Sequence, residues 1–113
     1  MIRYGKSTEL PEERVEMEGV KDATIQWLIA KEHGAPTFAM RRFRVKPGGY
    51  TPYHTHPYEH EVYVLSGKGV AVIEDQEYPL EKDSFILVPP DLRHQFKNTG
   101  DEDLIFLCII PIQ

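Results

Sequence analysis

The segment HTHPYEHEVYVLSG, residues 54–67, places three histidines directly ahead of an alternating apolar run. His54, His56 and His60 share the same parity. Because alternate side chains of an extended strand face the same side, the three imidazoles should converge inside a β-structure if the segment stays extended. Buried imidazoles need partners for their lone pairs, and a divalent metal ion supplies one. The segment therefore predicts an interior metal site.

A fourth histidine follows in PPDLRHQFKN, residues 89–98. His94 opens a predicted strand after a double-proline turn, and Phe96 and Asn98 continue its parity. His94 is therefore expected to face the interior. His33 lies in the predicted turn KEHGAP with no alternation behind it, so we interpret it as a surface histidine.

The rest of the chain predicts an all-β fold. Strand candidates are DATIQWLIA, PTFAMRRFRV, HEVYVLS, GVAVIED, DSFILVP, RHQFKN and DLIFLCIIPI, separated by turns rich in Gly, Pro, Asp and Asn. No stretch between them is long enough for a crossover helix, which favours a barrel or a two-sheet sandwich. Parity places Val62, Val64, Val70 and Val72 on the interior face.

The chain is expected to form one domain with an N-terminal arm. Residues 1–21 are acidic and polar, and we expect an exposed arm that packs on or beside the barrel, with at most a helical turn at PEERVEM, residues 11–17. Residues 22–113 are expected to form the barrel.

The overall composition narrows the possible partners and locations. A formal net charge of −5 argues against a nucleic-acid or anionic-membrane partner. No apolar run approaches the roughly 20 residues of a membrane span, and the polar N-terminus is unlike a signal peptide. Cys108 is the single cysteine, so no internal disulfide can form. These features predict a soluble, cytoplasmic protein.

Two stretches carry a family resemblance. Gly48-x5-His54-x-His56-x3-His60-x6-Gly67 resembles the first cupin motif, G-x5-H-x-H-x3-4-E-x6-G. Asp83-x5-Pro89-x-Asp91-x2-His94-x3-Asn98 is similar to the second cupin motif, G-x5-P-x-G-x2-H-x3-N. The resemblance implies a single-domain cupin barrel, a double-stranded β-helix or jelly roll. It also implies one divalent metal ion held between the sheets by His54, His56, His60 and His94.

The sequence departs from the cupin pattern at three positions. Asp83 and Asp91 replace turn glycines, and aspartate tolerates left-handed backbone conformations better than most residues do. His60 stands where the motif has its glutamate ligand. Glu61 could bind the metal if a bulge reversed the strand phase. We favour His60, which keeps both the parity and the x6 spacing to Gly67.

An all-histidine donor set suits Mn, Fe, Ni, Cu or Zn better than Ca or Mg. Manganese cupins with such a set are the subgroup that this sequence resembles, so Mn is the first candidate. Octahedral coordination would leave two positions open. The resemblance then implies dioxygenase-like oxidation of a small organic molecule. The alternatives are a metal-dependent isomerase or decarboxylase, a binding or sensing module without turnover, and a purely structural metal.

Three further residues are expected to line the pocket. If Arg41, Phe43 and Val45 face inward, Arg41 is a buried cation that pairs with an anionic substrate or a carboxylate, or forms an ordinary salt bridge at the barrel edge. Phe106 and Cys108 are expected on the pocket wall. Cys108 is either an oxidation-prone thiol or, as we prefer, a small core residue.

The last strand predicts a partner surface. Residues 104–110 are apolar on both faces, so one face should pack inside the barrel and the other against a second layer of protein. Either a second copy in a homodimer or the N-terminal segment could supply the outer cover.

Overall fold

The computed structural model describes residues 1–113 as nine β-strands and two short 3-10 helices, with no α-helix. The strands are β1 (Glu13–Arg14), β2 (Lys21–Ile29), β3 (Phe38–Tyr50), β4 (His60–Ser66), β5 (Gly69–Ile73), β6 (Gln76–Leu80), β7 (Phe85–Val88), β8 (His94–Asn98) and β9 (Leu104–Pro111). The 3-10 helices span Ser7–Glu9 and Lys31–His33. Neither is long and apolar enough to cross a membrane. The all-β prediction is confirmed.

The strands form one antiparallel sheet that curls into a nearly closed barrel. The order is β6-β5-β8-β3-β9-β4-β7, with β2 also pairing β3 and β1 pairing β2. From Phe38 to Val45, β3 pairs with β9, and at Tyr50 it pairs with Lys97 of β8. The long strand β3 therefore joins the β6-β5-β8 half of the barrel to the β9-β4-β7 half.

Asn98, the last residue of the second motif, holds the two halves together. Its Nδ2 donates to the backbone oxygens of Val45 (2.8 Å) and Glu102 (2.7 Å). Its Oδ1 accepts a hydrogen bond from Gly100 N at 2.8 Å. The side chain is buried, so these bonds satisfy groups that water cannot reach.

The N-terminal segment corrects one prediction. The helical turn expected at residues 11–17 is absent, and β1 pairs with β2 instead. The free edge of β2 offers backbone partners, whereas a short isolated helix is unstable in water. Glu12 strengthens the attachment because it accepts hydrogen bonds from Thr24 Oγ1 (2.6 Å) and Arg44 Nε (3.1 Å).

The interior parity of β5 was also predicted wrongly. Ala71 and Ile73 are buried, whereas Val70 and Val72 are only half-buried. The prediction treated β4 and β5 as one hairpin with a continuous phase. In the barrel β4 pairs with β7 and β9, and β5 pairs with β6 and β8. The connection between β4 and β5 therefore moves the chain to the other half of the barrel. It also shifts by one residue which side chains face the interior.

Strand β6 was not predicted because its sequence, QEYPL, is polar and contains Pro79. It lies at the edge of the sheet, where one row of backbone groups makes no ladder bonds and proline is tolerated. Strand β3 is longer than predicted, since it continues through the KPGG stretch that we interpreted as a turn.

The two aspartates that replace motif glycines adopt the predicted backbone conformation. The φ angle is 71° at Asp83 and 68° at Asp91. Both lie in the left-handed region that glycine normally occupies. The substitutions therefore keep the turns that carry the second motif.

An apolar patch lies outside the barrel on β4, β7 and β9. Tyr63, Phe85 and Leu87 are exposed, and the outward residues of β9 are half-buried. The N-terminal strand pairs with β2 and not over this patch. The homodimer therefore stays a prediction, with this patch as the surface that it would use.

Candidate metal centre

Two histidines from different motifs are joined by a backbone bridge. His54 N donates to His94 O at 3.1 Å, and His94 N donates to His54 O at 2.9 Å. Asp91 N donates to His56 O at 2.8 Å, which attaches the second motif turn to the first motif. These bonds fix the loop before β4 against the start of β8.

The segment between His56 and His60 is not a strand. The chain bends at residues 57–58, and β4 begins only at His60. His60 and Val62 are buried, whereas Glu61 between them is exposed. The β4–β7 register is regular across His60 and Glu61. Without a bulge there, Glu61 lies on the outside of the barrel, away from the histidines.

The four imidazole rings lie against one another. Ring centroids are 4.3 Å apart for His54 and His56, and 4.5 Å apart for His60 and His94. The other separations are 5.1 Å for His54–His94, 5.4 Å for His56–His60 and 6.0 Å for His56–His94. The fold thus brings together all four histidines that the sequence selected.

The donor chemistry of this cluster fits a transition-metal ion. His54 Nδ1 and His60 Nδ1 are buried without a hydrogen-bond partner. His94 Nδ1 lies 3.0 Å from Leu92 O, which requires a proton on Nδ1 and leaves the Nε2 lone pair free. As the side chains stand, no group of three or more His, Cys, Asp or Glu is arranged to hold a metal ion. The residues fit the ion in type and proximity, and coordination itself is a proposal.

Burial lowers the pKa of all four histidines. It lowers the pKa of His54 to about 4 and that of His60 to about 3. Neighbouring imidazoles and the Arg41 guanidinium act in the same direction for both rings. The cluster is therefore neutral at neutral pH, so its lone pairs are available to an electrophile.

The metal-free protein is expected to lose stability as the pH falls from about 7 to about 3. An unfolded histidine binds its proton near pH 6.5, whereas the lowered pKa of His60 keeps it neutral in the folded state. Below pH 6.5 the unfolded chain therefore gains protons first. For His60, which is 4% exposed, the loss can reach about 1 kcal/mol per pH unit.

Urea unfolding at several pH values, with a chelator present, measures this slope. His60→Gln removes the titrating group and should give a shallower slope than the wild type. Equal slopes in the two proteins would contradict the assignment.

The histidines line a cavity of about 350 Å³. Its apolar and aromatic walls are formed by Ile25, Trp27, Phe43, Pro52, Tyr58, Phe96, Phe106, Cys108 and Ile110. Residues 13–17 of the N-terminal segment also line it. The cavity therefore combines a group of imidazoles with walls suited to a flat, apolar molecule.

Arg41 lies in this cavity on β3. Its guanidinium carbon is 5.5 Å from the ring centroid of Trp27 and 5.1 Å from that of Phe43. Its Nη2 lies 3.0 Å from Cys108 Sγ. Arg41 thus shares the cavity with the histidines and does not form an edge salt bridge.

Comparison with known proteins identifies the fold. The model of the cupin domain family, Cupin_2, matches residues 41–110, more than half of the chain. The chain belongs to the cupin family. An oxalate-binding protein from Thermotoga maritima is 32% identical over 111 residues, covering 93% of this chain and 90% of that protein.

Polyketide proteins are also similar to this cupin. The solved structure of the polyketide cyclase RemF from Streptomyces resistomycificus matches with a TM-score of 0.93 and 31% identity, covering 100% of this chain and 81% of that chain. The polyketide synthase CurC from Streptomyces cyaneus is 37% identical over 71 residues, covering 62% of this chain and 46% of that protein. The chain spans about half the length of several curated relatives that it matches.

Phe106 and Cys108 both line the cupin cavity. Phe106 stacks on Phe43, with ring centroids 5.2 Å apart, and contacts Phe96 at 4.9 Å. Burial raises the pKa of the Cys108 thiol, while the nearby Arg41 opposes that rise. A neutral buried thiol is a poor nucleophile, which favours the prediction that Cys108 is a small core residue.

Sequence reasoning did not select several cavity residues. Trp27 shares the parity of the buried Ala23 on β2, so alternation carried a usable signal for it. Tyr58, by contrast, was expected on the ligand side because it shares the parity of the histidines, and it stacks on His56 with centroids 4.8 Å apart and an interplanar angle of 14°. The contribution of residues 13–17 had no signal in the sequence, because it depends on the pairing of β1 with β2.

Proposed function

We propose that this cupin is a metal-dependent enzyme that closes a ring in a flat, poly-carbonyl chain by an aldol-type condensation. The observation that carries the proposal is the composition of the cavity. Four neutral imidazoles and the guanidinium groups of Arg14 and Arg41 line the same aromatic cavity. The similarity to a polyketide cyclase over the whole chain supports the same reaction class.

The cofactor in this proposal is one divalent transition metal per chain, bound by His54, His56, His60 and His94. Mn is the first candidate and Fe, Ni, Cu or Zn are the others, because neutral imidazoles suit all of them. When bound, the ion would polarise a substrate carbonyl as a Lewis acid. Anomalous scattering at the metal edges of protein purified without added ions identifies the element.

The side chains of the cavity supply the remaining requirements. Phe43 and Phe106 form a stacked aromatic wall against which a planar chain can lie. Arg41 can donate hydrogen bonds to a negatively charged oxygen of the substrate. Apart from the histidines, the carboxylates of Glu13 and Glu16 are the bases that line the cavity.

The reaction balances without an oxidant. A methylene carbon between two carbonyl groups loses a proton to a carboxylate or to water. That carbon forms a bond to a carbonyl carbon further along the chain, whose oxygen gains a proton. The new C–C bond closes the ring while the carbonyl π bond opens to a hydroxyl, and elimination of one water molecule then leaves a C=C bond in the ring. No electrons are exchanged with an external partner.

Oxidation of the dioxygenase type is the competing function, because an all-histidine donor set also suits redox-active metals. The test supplies a linear poly-β-ketone to the metal-loaded protein and follows product mass together with oxygen uptake. A product lighter by one water, formed without oxygen uptake, is expected. Oxygenated products with matching oxygen uptake would overturn the cyclase proposal. So would an unchanged substrate with every candidate metal.

A further inference from the structure

Arg41 is a cation with no anionic partner. Its Nε is buried and has no hydrogen-bond partner. Its Nη2 donates a hydrogen bond to the sulfur of Cys108. Arg41 as a whole is half-buried, but a buried N–H donor without an acceptor is costly, so this group is poised for one.

The neighbouring arginines on β3 show what a satisfied guanidinium looks like in this fold. Arg42 donates to Gln26 Oε1 at 3.1 Å. Arg44 donates to Asp103 Oδ2 at 2.8 Å and to Glu12 Oε1 at 3.1 Å. Arg41 is thus the member of this group without an oxygen acceptor.

Cys108 cannot replace a carboxylate partner. Thiol sulfur is a weak acceptor, and burial keeps this thiol in its neutral form by raising its pKa. The contact at 3.0 Å therefore positions the guanidinium without balancing its charge.

Two aromatic rings fix the orientation of Arg41. Trp27 and Phe43 lie within 5.5 Å of its guanidinium carbon, which is within the range of cation–π attraction. Cation–π attraction acts on the guanidinium charge and does not use its N–H groups as hydrogen-bond donors to an oxygen acceptor. The guanidinium group of Arg41 is therefore held in place, and its N–H donors remain available to a ligand.

The protein itself offers few competing anions. Glu13 and Glu16 are the acidic residues on the cavity wall, and both are exposed. Neither forms a salt bridge with Arg41. A ligand that enters the cavity would therefore meet an uncompensated positive charge beside aromatic walls.

We propose that Arg41 is an anion subsite, so that the natural ligand is a flat, largely apolar molecule bearing a carboxylate, which Arg41 binds while the rest of the molecule lies against the aromatic wall. Applied to the proposed cyclisation, this makes the substrate a poly-carbonyl acid. Only this identification of the substrate rests on the proposed function. The anion subsite itself requires binding and no turnover.

Calorimetric titration with 2-naphthoate and its neutral analogue 2-naphthamide tests the subsite. Measurements are made with the full chain, both metal-loaded and after chelation, since the chelated protein removes binding of the carboxylate to metal. Wild-type protein should bind the acid at least about ten-fold more tightly than the amide in both states. Arg41→Met should lose this preference and keep its affinity for the amide.

Two further variants make the result decisive. Arg41→Lys keeps the charge and should retain part of the preference. Arg42→Met removes a charge from the same strand outside the cavity lining and should leave the preference unchanged. A preference that survives in Arg41→Met would overturn the subsite, and so would equal or undetectable binding of both ligands by the wild type. These results leave the cyclisation assay unaffected, so the two proposals fail separately.

Discussion

Replacing His60 with alanine is expected to lower the affinity for the divalent metal at least about 100-fold and to abolish turnover. Loss of an outer hydrogen-bond partner of a metal ligand already costs roughly 10–100-fold in affinity, and loss of a ligand should cost at least as much. His60 is the buried member of the cluster that opens β4, with its ring centroid 4.5 Å from that of His94. Metal content per chain, measured after dialysis, checks the prediction.

Two matched variants separate metal binding from packing. His60→Glu restores the ligand type of the first cupin motif and should retain the metal. His33→Ala removes a histidine remote from the cluster, whose Nδ1 accepts a hydrogen bond from Ala30 N at 3.0 Å, and should not change metal content. If His60→Ala keeps its full metal content, the four-histidine assignment is wrong.

Replacing Gly67 with alanine is expected to destabilise the fold by about 2–5 kcal/mol, the sum of backbone strain and overpacking. Gly67 has a φ of +89°, which side chains other than glycine rarely adopt. A Cβ there would overlap Asp103 O and would lie 2.8 Å from Leu104 Cα. Both neighbours are backbone atoms, so a rotamer change cannot relieve the contact. Urea unfolding followed by circular dichroism measures the loss.

Gly48→Ala is the matched control, because it adds the same strain without the overlap. Gly48 has a φ of +79°, and a Cβ there would meet nothing within 4 Å. Its expected cost is the strain alone, about 1–2 kcal/mol. Similar losses in the two variants would show that close packing at Gly67 has no effect on stability.

The motif residues made much of the site predictable because their spacing is local. His54, His56 and His60 lie within one short segment, and the cupin resemblance assigned both aspartates of the second motif to turns that glycine normally occupies. The placement of His94 beside them rested on resemblance, since no local pattern fixes a pairing between distant segments. The backbone bridge between His54 and His94 supplies that contact in the structure.

Predictions that crossed a chain connection were less successful. The parity assigned to Val70 and Val72 assumed that β4 and β5 form one hairpin, and the barrel places them in different halves. The helical turn expected at residues 11–17 ignored the open edge of β2. In both cases a partner distant in sequence set the outcome, and single-segment patterns carry no information about that partner.

By itself the sequence determined the β-rich class and singled out the four histidines that cluster in the fold, because alternation and residue chemistry act within a few positions. The turn positions of the second motif came from the cupin resemblance. Only the tertiary structure decided that Arg41 faces the histidines without an acidic partner, that Trp27 and Phe43 hold it, and that the N-terminal segment lines the cavity. Those features arise where β1, β2, β3 and β9 lie side by side. Long-range strand pairing creates them, and it is fixed by the packing of the whole barrel.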